Sequence, residues 1–197
     1  MKKISIISFL IIATAFNFSA CKSEAKKDPS KVEVKKSKAA FSIENASNDI
    51  NFIAYKTTDK VGVNGWFKKV NVISGGEGNS VNEAINNTEF SIPVSSLYTK
   101  DSSRDFKIKK SFFGIMTNTK LLSGKLILTD EASGIAKITM NGETKDVPFS
   151  YTIVDKVFNM KATMDINNWN AGAALASLNK ICEELHKGAD GISKTWR

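Results

Sequence analysis

Residues 41–166 alternate apolar and polar positions in short runs. Between 49 and 55, Ile50, Phe52 and Ala54 fall on one face. Val61, Val63, Gly65 and Phe67 keep the period of two, and Val70 and Val72 follow. Phe90, Ile92 and Val94 alternate with Ser91, Pro93 and Ser95. Residues 122–128, 135–140, 147–154 and 157–166 read as further strands. Strict alternation gives each strand one buried face. The Asn141-Gly142 pair between two such runs is a hairpin signal, because both residues tolerate positive φ. Many short strands, with almost no helix between them, predict an all-β antiparallel sandwich or barrel.

Two segments break the rhythm. Residues 102–113 run from turn residues through charges to Phe112-Phe113 and read as a short helix or ordered crossover. Residues 171–187 read as one amphipathic helix, with Leu175, Leu178, Ile181, Cys182 and Leu185 on a stripe. Asn168 or Asn170 is placed to cap its start, and Gly188 to end it in a left-handed turn. Such a helix could cover the mouth of a barrel. Gly75-Gly76-Glu77-Gly78 reads as a flexible loop, since it lacks the Lys-Ser/Thr of a phosphate loop.

The first 21 residues change the picture. Lys2 and Lys3 precede a mostly apolar run over 4–15, and Ser19-Ala20 leads to Cys21. This order marks a secretory signal over residues 1–20. The run is shorter than the roughly 20 residues of a membrane-spanning helix. The cysteine after small residues resembles the bacterial lipobox, with Phe18 where leucine is usual. That implies lipid attachment at Cys21, with an ordinary signal and a chance cysteine as the alternative. The whole chain of 197 residues carries a formal charge of +8. Residues 21–40 hold seven lysines, three acids and few large apolar side chains. They predict a disordered tether of roughly 25 Å before a single domain over 41–197. Nucleic acid fits poorly, because the charge lies on a tether of an exported chain. The expected location is membrane-anchored, facing the periplasm or the cell surface.

Four stretches over 41–170 together resemble the YceI-like family of exported bacterial proteins. They are Ile50-Asn51-Phe52 leading to Gly65-Trp66-Phe67; Phe90-Ser91-Ile92 through Leu97; Arg104-Asp105-Phe106 with Phe112-Phe113; and residues 134–147, GIAKITMNGETKDV. The resemblance implies an up-and-down lipocalin-like β-barrel, here with one C-terminal helix. It also implies an apolar isoprenoid or quinone-like ligand held inside. Asn48-Asp49 stands where the family commonly has a histidine, and the segment after Asn170 is additional. A barrel of about eight strands holds packed side chains or one small ligand. Inward candidates for the lining are Phe52, Val63, Phe90, Ile92, Val94, Phe149, Tyr151, Met160 and Met164, with Phe112 and Phe113 closing one end. Ordinary core packing is the competing role for each of them.

Catalytic signals are thin. His186 is the sole histidine, and it shares a helix face with Cys182 at i and i+4. Two ligands do not make a zinc site, so the expectation is a buried thiol and a surface histidine. Arg104-Asp105 reads as an anchor for the crossover by a salt bridge rather than as a catalytic pair. Trp66, Trp169 and Trp196 read as packing or rim residues. The expected function is non-catalytic: binding or carrying an apolar ligand, without metal or other cofactor. A filled barrel acting as an envelope interaction module is the alternative. A homodimer is left open.

Overall fold

The computed structural model describes residues 38–196. The signal segment, Cys21 and most of the tether lie outside the described residues. The strands are β1 (Phe41–Ser42), β2 (Ile50–Lys56), β3 (Val61–Phe67), β4 (Asn71–Ser74), β5 (Glu77–Gly78), β6 (Glu89–Pro93), β7 (Leu97–Tyr98), β8 (Leu121–Leu128), β9 (Ser133–Met140), β10 (Glu143–Val154) and β11 (Val157–Ala162). The helices are α1 (Val81–Ile85), α2 (Ser102–Ser111) and α3 (Gly172–Ile181).

The strands curl into a lipocalin-like, antiparallel half-barrel. Its larger wall has the order β11-β10-β9-β8-β6-β4, and the second wall is β2-β3-β7. Strands β8 to β11 form an up-and-down meander. Among the described residues no ladder joins β2 to β11, so the ring is left unclosed, with a seam between these two edge strands. The expected antiparallel class therefore holds, with the ring interrupted.

Local chemistry explains the connections. Asn141 (φ 53°) and Gly142 (φ 77°) make the hairpin between β9 and β10. Asp155 (φ 50°) and Lys156 (φ 67°) turn β10 into β11, also with positive φ at both positions and no glycine. Asn141 is also a hub. Its side-chain oxygen accepts from the Thr117 N–H at 2.8 Å, and its amide donates to the Trp169 carbonyl at 2.7 Å.

Several boundaries differ from the sequence reading. The run through Val94 stops at Pro93, which has no N–H to continue a ladder. Val94–Ser96 is a 3-10 turn, with the Ser96 hydroxyl donating to the Pro93 carbonyl at 2.7 Å. The last strand ends at Ala162 instead of 166, because Asp165 caps a 3-10 turn over Ile166–Trp169. The predicted helix over 171–187 is α3 followed by a 3-10 turn over Glu183–His186. Neither Asn168 nor Asn170 caps it: the N-cap is Ala171, and Asn170 is left-handed. Lys187, in extended backbone, follows that turn, and Gly188 has no positive φ. The Gly75-Gly76 loop is held in place. The Gly76 N–H donates to the Thr88 hydroxyl, and Glu77–Gly78 pairs with β1.

The core sits on the concave side, around Phe67, Ile92, Leu97, Phe113, Ala136, Val147, Phe149 and Trp169. Trp169 is 1% exposed, and its indole donates to the Ile138 carbonyl at 2.9 Å. The start of α3 closes this core through Ala171 and Ala174.

Candidate functional site

The ladder registers fix which side chains face inward. Opposite pairs point to one side of a sheet. Phe149, Tyr151 and Val147 of β10 are buried, and their partners Gly134, Met160 and Ala136 share that side. Following the ladders places Gly124, Leu126 and Leu128 of β8 and Phe90 and Ile92 of β6 on the same face. On the second wall Ile50, Phe52 and Ala54 of β2 oppose Phe67, Gly65 and Val63 of β3, and the buried Phe67 marks the inner face.

Three inner pairs repeat one device. Phe52 lies against Gly65, Phe90 against Gly124 and Phe149 against Gly134, each directly across a ladder. In all three the ring occupies the space a β-carbon would need. Aromatic rings lying over strand glycines add apolar surface without thickening the wall.

The rings form two groups. At one end Phe52 and Phe67 lie 5.6 Å apart, Phe67 and Phe113 6.3 Å, and Phe112 and Phe113 4.9 Å between centroids. On the other wall Tyr151 and Phe158 lie 5.0 Å apart, with Phe149 within 6.5 Å of both. Between these groups the inner face is only half-buried. Ile50, Phe52, Val63, Phe90, Leu122, Leu126, Leu128, Ile138 and Phe158 all keep solvent contact. A filled barrel would bury such residues fully. The geometry is an apolar trough open along the β2–β11 seam.

Polar groups mark both ends. At one rim the Tyr151 hydroxyl donates to the Asp130 carbonyl at 2.7 Å, beside a cleft of about 330 Å³ bordered by Leu128, Asp130 and Glu131. The Asp130 carboxyl is held below the usual carboxylate range, first by the Ser133 hydroxyl and then by the Ala132 N–H. At the other end Lys145 and Glu143, 2.6 Å apart, continue the inner face past Val147, and Asn170 also bonds Glu143. That lysine is the main cause of a lowered Glu143 pKa.

The expected lining residues fall into three sets. Phe52, Val63, Phe90, Ile92, Phe149 and Tyr151 face the trough from strands. Val94 is buried but sits in a 3-10 turn, and Phe112 and Phe113 close one end from the C-terminus of α2. The methionines depart. Met160 is on the inner face yet 38% exposed, because β11 is an outer strand. Met164 lies beyond the end of β11 and is 39% exposed. Sequence reasoning missed Phe67, Leu126, Leu128 and Phe158, all within runs it read as strands. It also missed the three glycines, whose partners appear only once register is known.

The remaining singled-out residues are structural. The Asp105 carboxylate accepts from the Thr99 N–H at 2.8 Å and hydroxyl at 2.7 Å. Arg104 pairs with Asp101 rather than Asp105, so the anchor is a hydrogen-bond clamp and not their mutual ion pair. Cys182 is buried, and burial pushes its thiol pKa up. His186 is half-buried, not a surface group: its Nδ1 lies 2.6 Å from the Thr195 hydroxyl. Among the described residues no three His, Cys, Asp or Glu side chains cluster as metal ligands.

The YceI-like domain family matches residues 24–188. The chain belongs to the YceI-like family. A solved structure of a polyisoprenoid binding domain from Saccharophagus degradans, implicated in plant cell wall breakdown, is similar to this YceI-like chain at 13% identity. It has a TM-score of 0.50 and covers 71% of this chain and 86% of its own. BcnA of Burkholderia cenocepacia is similar at 16% identity with a TM-score of 0.45, covering 63% of this chain and 82% of its own. No curated protein matches the sequence. No described helix of this YceI-like chain is long and apolar enough to cross a membrane.

Proposed function

We propose that this YceI-like chain binds one long apolar lipid of the isoprenoid or quinone type along the trough. It carries that lipid at the cell envelope, tethered by an acyl group on Cys21. The half-buried inner face carries this reading. Side chains from Phe52 to Phe158 line an inner face that packs on the core yet stays only half-buried among the described residues. A chain-like ligand would remove that surface from water, at about 25 cal/mol per Å² of apolar area. The polar ends at Asp130 and at Glu143–Lys145 suit a ligand with an apolar body and a polar head. The similarity to the polyisoprenoid binding domain from Saccharophagus degradans supports the same ligand class. The work is burial alone, without covalent chemistry.

Native mass spectrometry with lipid extraction tests it, on the full chain expressed in bacteria and purified without added lipid. A stoichiometric adduct of isoprenoid mass is the expected result. The Phe52→Ala variant, with its fold checked by far-ultraviolet circular dichroism, loses the adduct, since Phe52 lies half-buried on the inner face. A bare mass that quinones and polyprenols leave unchanged would overturn the reading. For the tether, the chain takes up radiolabelled palmitate in the cell and Cys21→Ala abolishes the label; an unlabelled parent chain would remove the anchor.

A further inference from the structure

We propose that the outer face of the β2-β3-β7 sheet docks on an anionic phospholipid bilayer. This does not depend on what the trough holds. The ladders that turn Phe52 and Phe67 inward turn Ile53, Tyr55, Trp66 and Tyr98 outward. Ile53 is 58% exposed, Tyr55 43% and Tyr98 36%. The four form one surface. Ile53 and Tyr55 both lean over Gly62 between them, and the Trp66 and Tyr98 rings lie 6.2 Å apart.

Lysines rim this face at both ends. The Lys68 ammonium sits 3.4 Å from the centre of the Tyr98 ring, and that of Lys100 sits 5.0 Å from Trp66. Beyond Tyr55, Trp196 donates its N–H to the Tyr55 carbonyl and lies under Lys60 and Lys194. No residue of the three strands is Asp or Glu. The nearest acids in sequence are Asp49, Asp59 and Asp101, and Asp101 is taken by Arg104.

The six-stranded wall provides the contrast. Its outer lysines Lys125 and Lys137 pair with Glu89 and Asp146, and only Lys161, on the edge strand β11, is outside the ion pairs among the described residues. The four lysines around the aromatic face take part in none of the ion pairs among the described residues. Tyrosine and tryptophan favour the headgroup level of a bilayer, with an apolar body and a polar tip. Long lysine stems let the ammonium reach phosphate while the carbons stay against the rings. Unneutralised positive charge around an amphipathic aromatic face complements anionic lipid. β2 also borders the seam, so a docked domain presents the open side of the trough near the membrane.

Trp66 is a built-in probe. The full chain with Cys21→Ser, so that no acyl group is attached, and Trp196→Phe is mixed with vesicles of brominated phosphatidylglycerol and phosphatidylcholine in equal parts. Trp169 is buried, so quenching reports Trp66. The apolar run over 4–15 is common to every variant, so the comparison lies between variants and between lipids. The expected result is quenching on the anionic vesicles and little on phosphatidylcholine alone. Lys68→Gln and Lys100→Gln should each lower the partition coefficient roughly fivefold. Unquenched Trp66, or quenching that neither variant changes, would overturn the proposal. Trp66 emission that shifts with protein concentration in the absence of vesicles would assign the face to a second copy and also overturn it.

Discussion

The wall built on β9 and β10 and the wall built on β2 and β3 follow the same alternating pattern, yet they end in different states. On the first, Ala136 is fully buried, and Val147, Phe149 and Tyr151 are each 4% exposed. On the second, Phe52 and Val63 are half-buried, Ala54 is exposed, and Val61 is 47% exposed on the same inner side. The start of α3 and Trp169 pack under the first wall, whereas the second borders the seam. Alternation determines which side chains point inward. What lies across from them determines whether they become core or a binding surface.

Breaking the closed wall should have the largest effect. Trp169→Ala empties a fully buried site and leaves the Ile138 carbonyl without its donor, costing about 3–5 kcal/mol. Urea denaturation would measure this. A cost below 1 kcal/mol would mean that the closed wall does not depend on its plug.

Asp105 fastens α2 to the segment after β7, and α2 carries Phe112 and Phe113 toward Phe67. Asp105→Ala should cost about 2–3 kcal/mol, because it strands the buried Thr99 donors. It should also change ring packing at that end, visible in near-ultraviolet circular dichroism. An unaltered aromatic spectrum would detach the clamp from the end cluster.

The glycine pairs compare the walls directly. A β-carbon at Gly134 meets both the Phe149 ring and the Ile127 carbonyl, while the three atoms nearest one at Gly65 all belong to the Phe52 ring. Phe52 borders open space and can swing away, whereas the Ile127 backbone cannot. Gly134→Ala should cost about 1–3 kcal/mol and Gly65→Ala less than about 1 kcal/mol. The reverse order in thermal melts would contradict the assignment of the open wall.

The smallest effect concerns His186. Burial, followed by Lys56 and Lys107, holds its pKa below the ordinary imidazole value. The unfolded chain therefore binds the proton more readily. The contribution of His186 to stability is present above the ordinary histidine pKa and is lost as pH falls through it. The melting temperature should drop between about pH 7.5 and about pH 5, and His186→Gln should flatten that drop. An unchanged pH profile in the variant would assign the dependence to other groups.

Local signals were legible in the sequence. Asn141-Gly142 announced its hairpin, and the inward faces of β2, β3 and β10 followed from period two. Pairing across strands was not legible. No local rule says that Gly65 lies under Phe52, because register depends on both strands. The length of the last helix was misread because stripe residues Ile181 and Leu185 are exposed, while Cys182 leaves helical geometry. Asp155 and Lys156 form a turn usually signalled by glycine, so composition gave no notice of its type. Of the site, the aromatic strand positions were readable. The seam was not, since an unpaired edge is a property of the whole sheet.

The segment over 194–196 has a consequence for how the molecule assembles. Lys194 and Trp196 bond the backbone of Thr57 and Tyr55, and the Trp196 indole donates to the Thr57 carbonyl 139 positions away. The rim of β2 therefore stays bare until residues 194–196 reach it. Contacts of such long sequence separation form late, after the entropy of closing the loop has been met. The hairpin that is synthesised early is completed last. A chain stalled before residue 194 would expose this edge to any neighbouring strand.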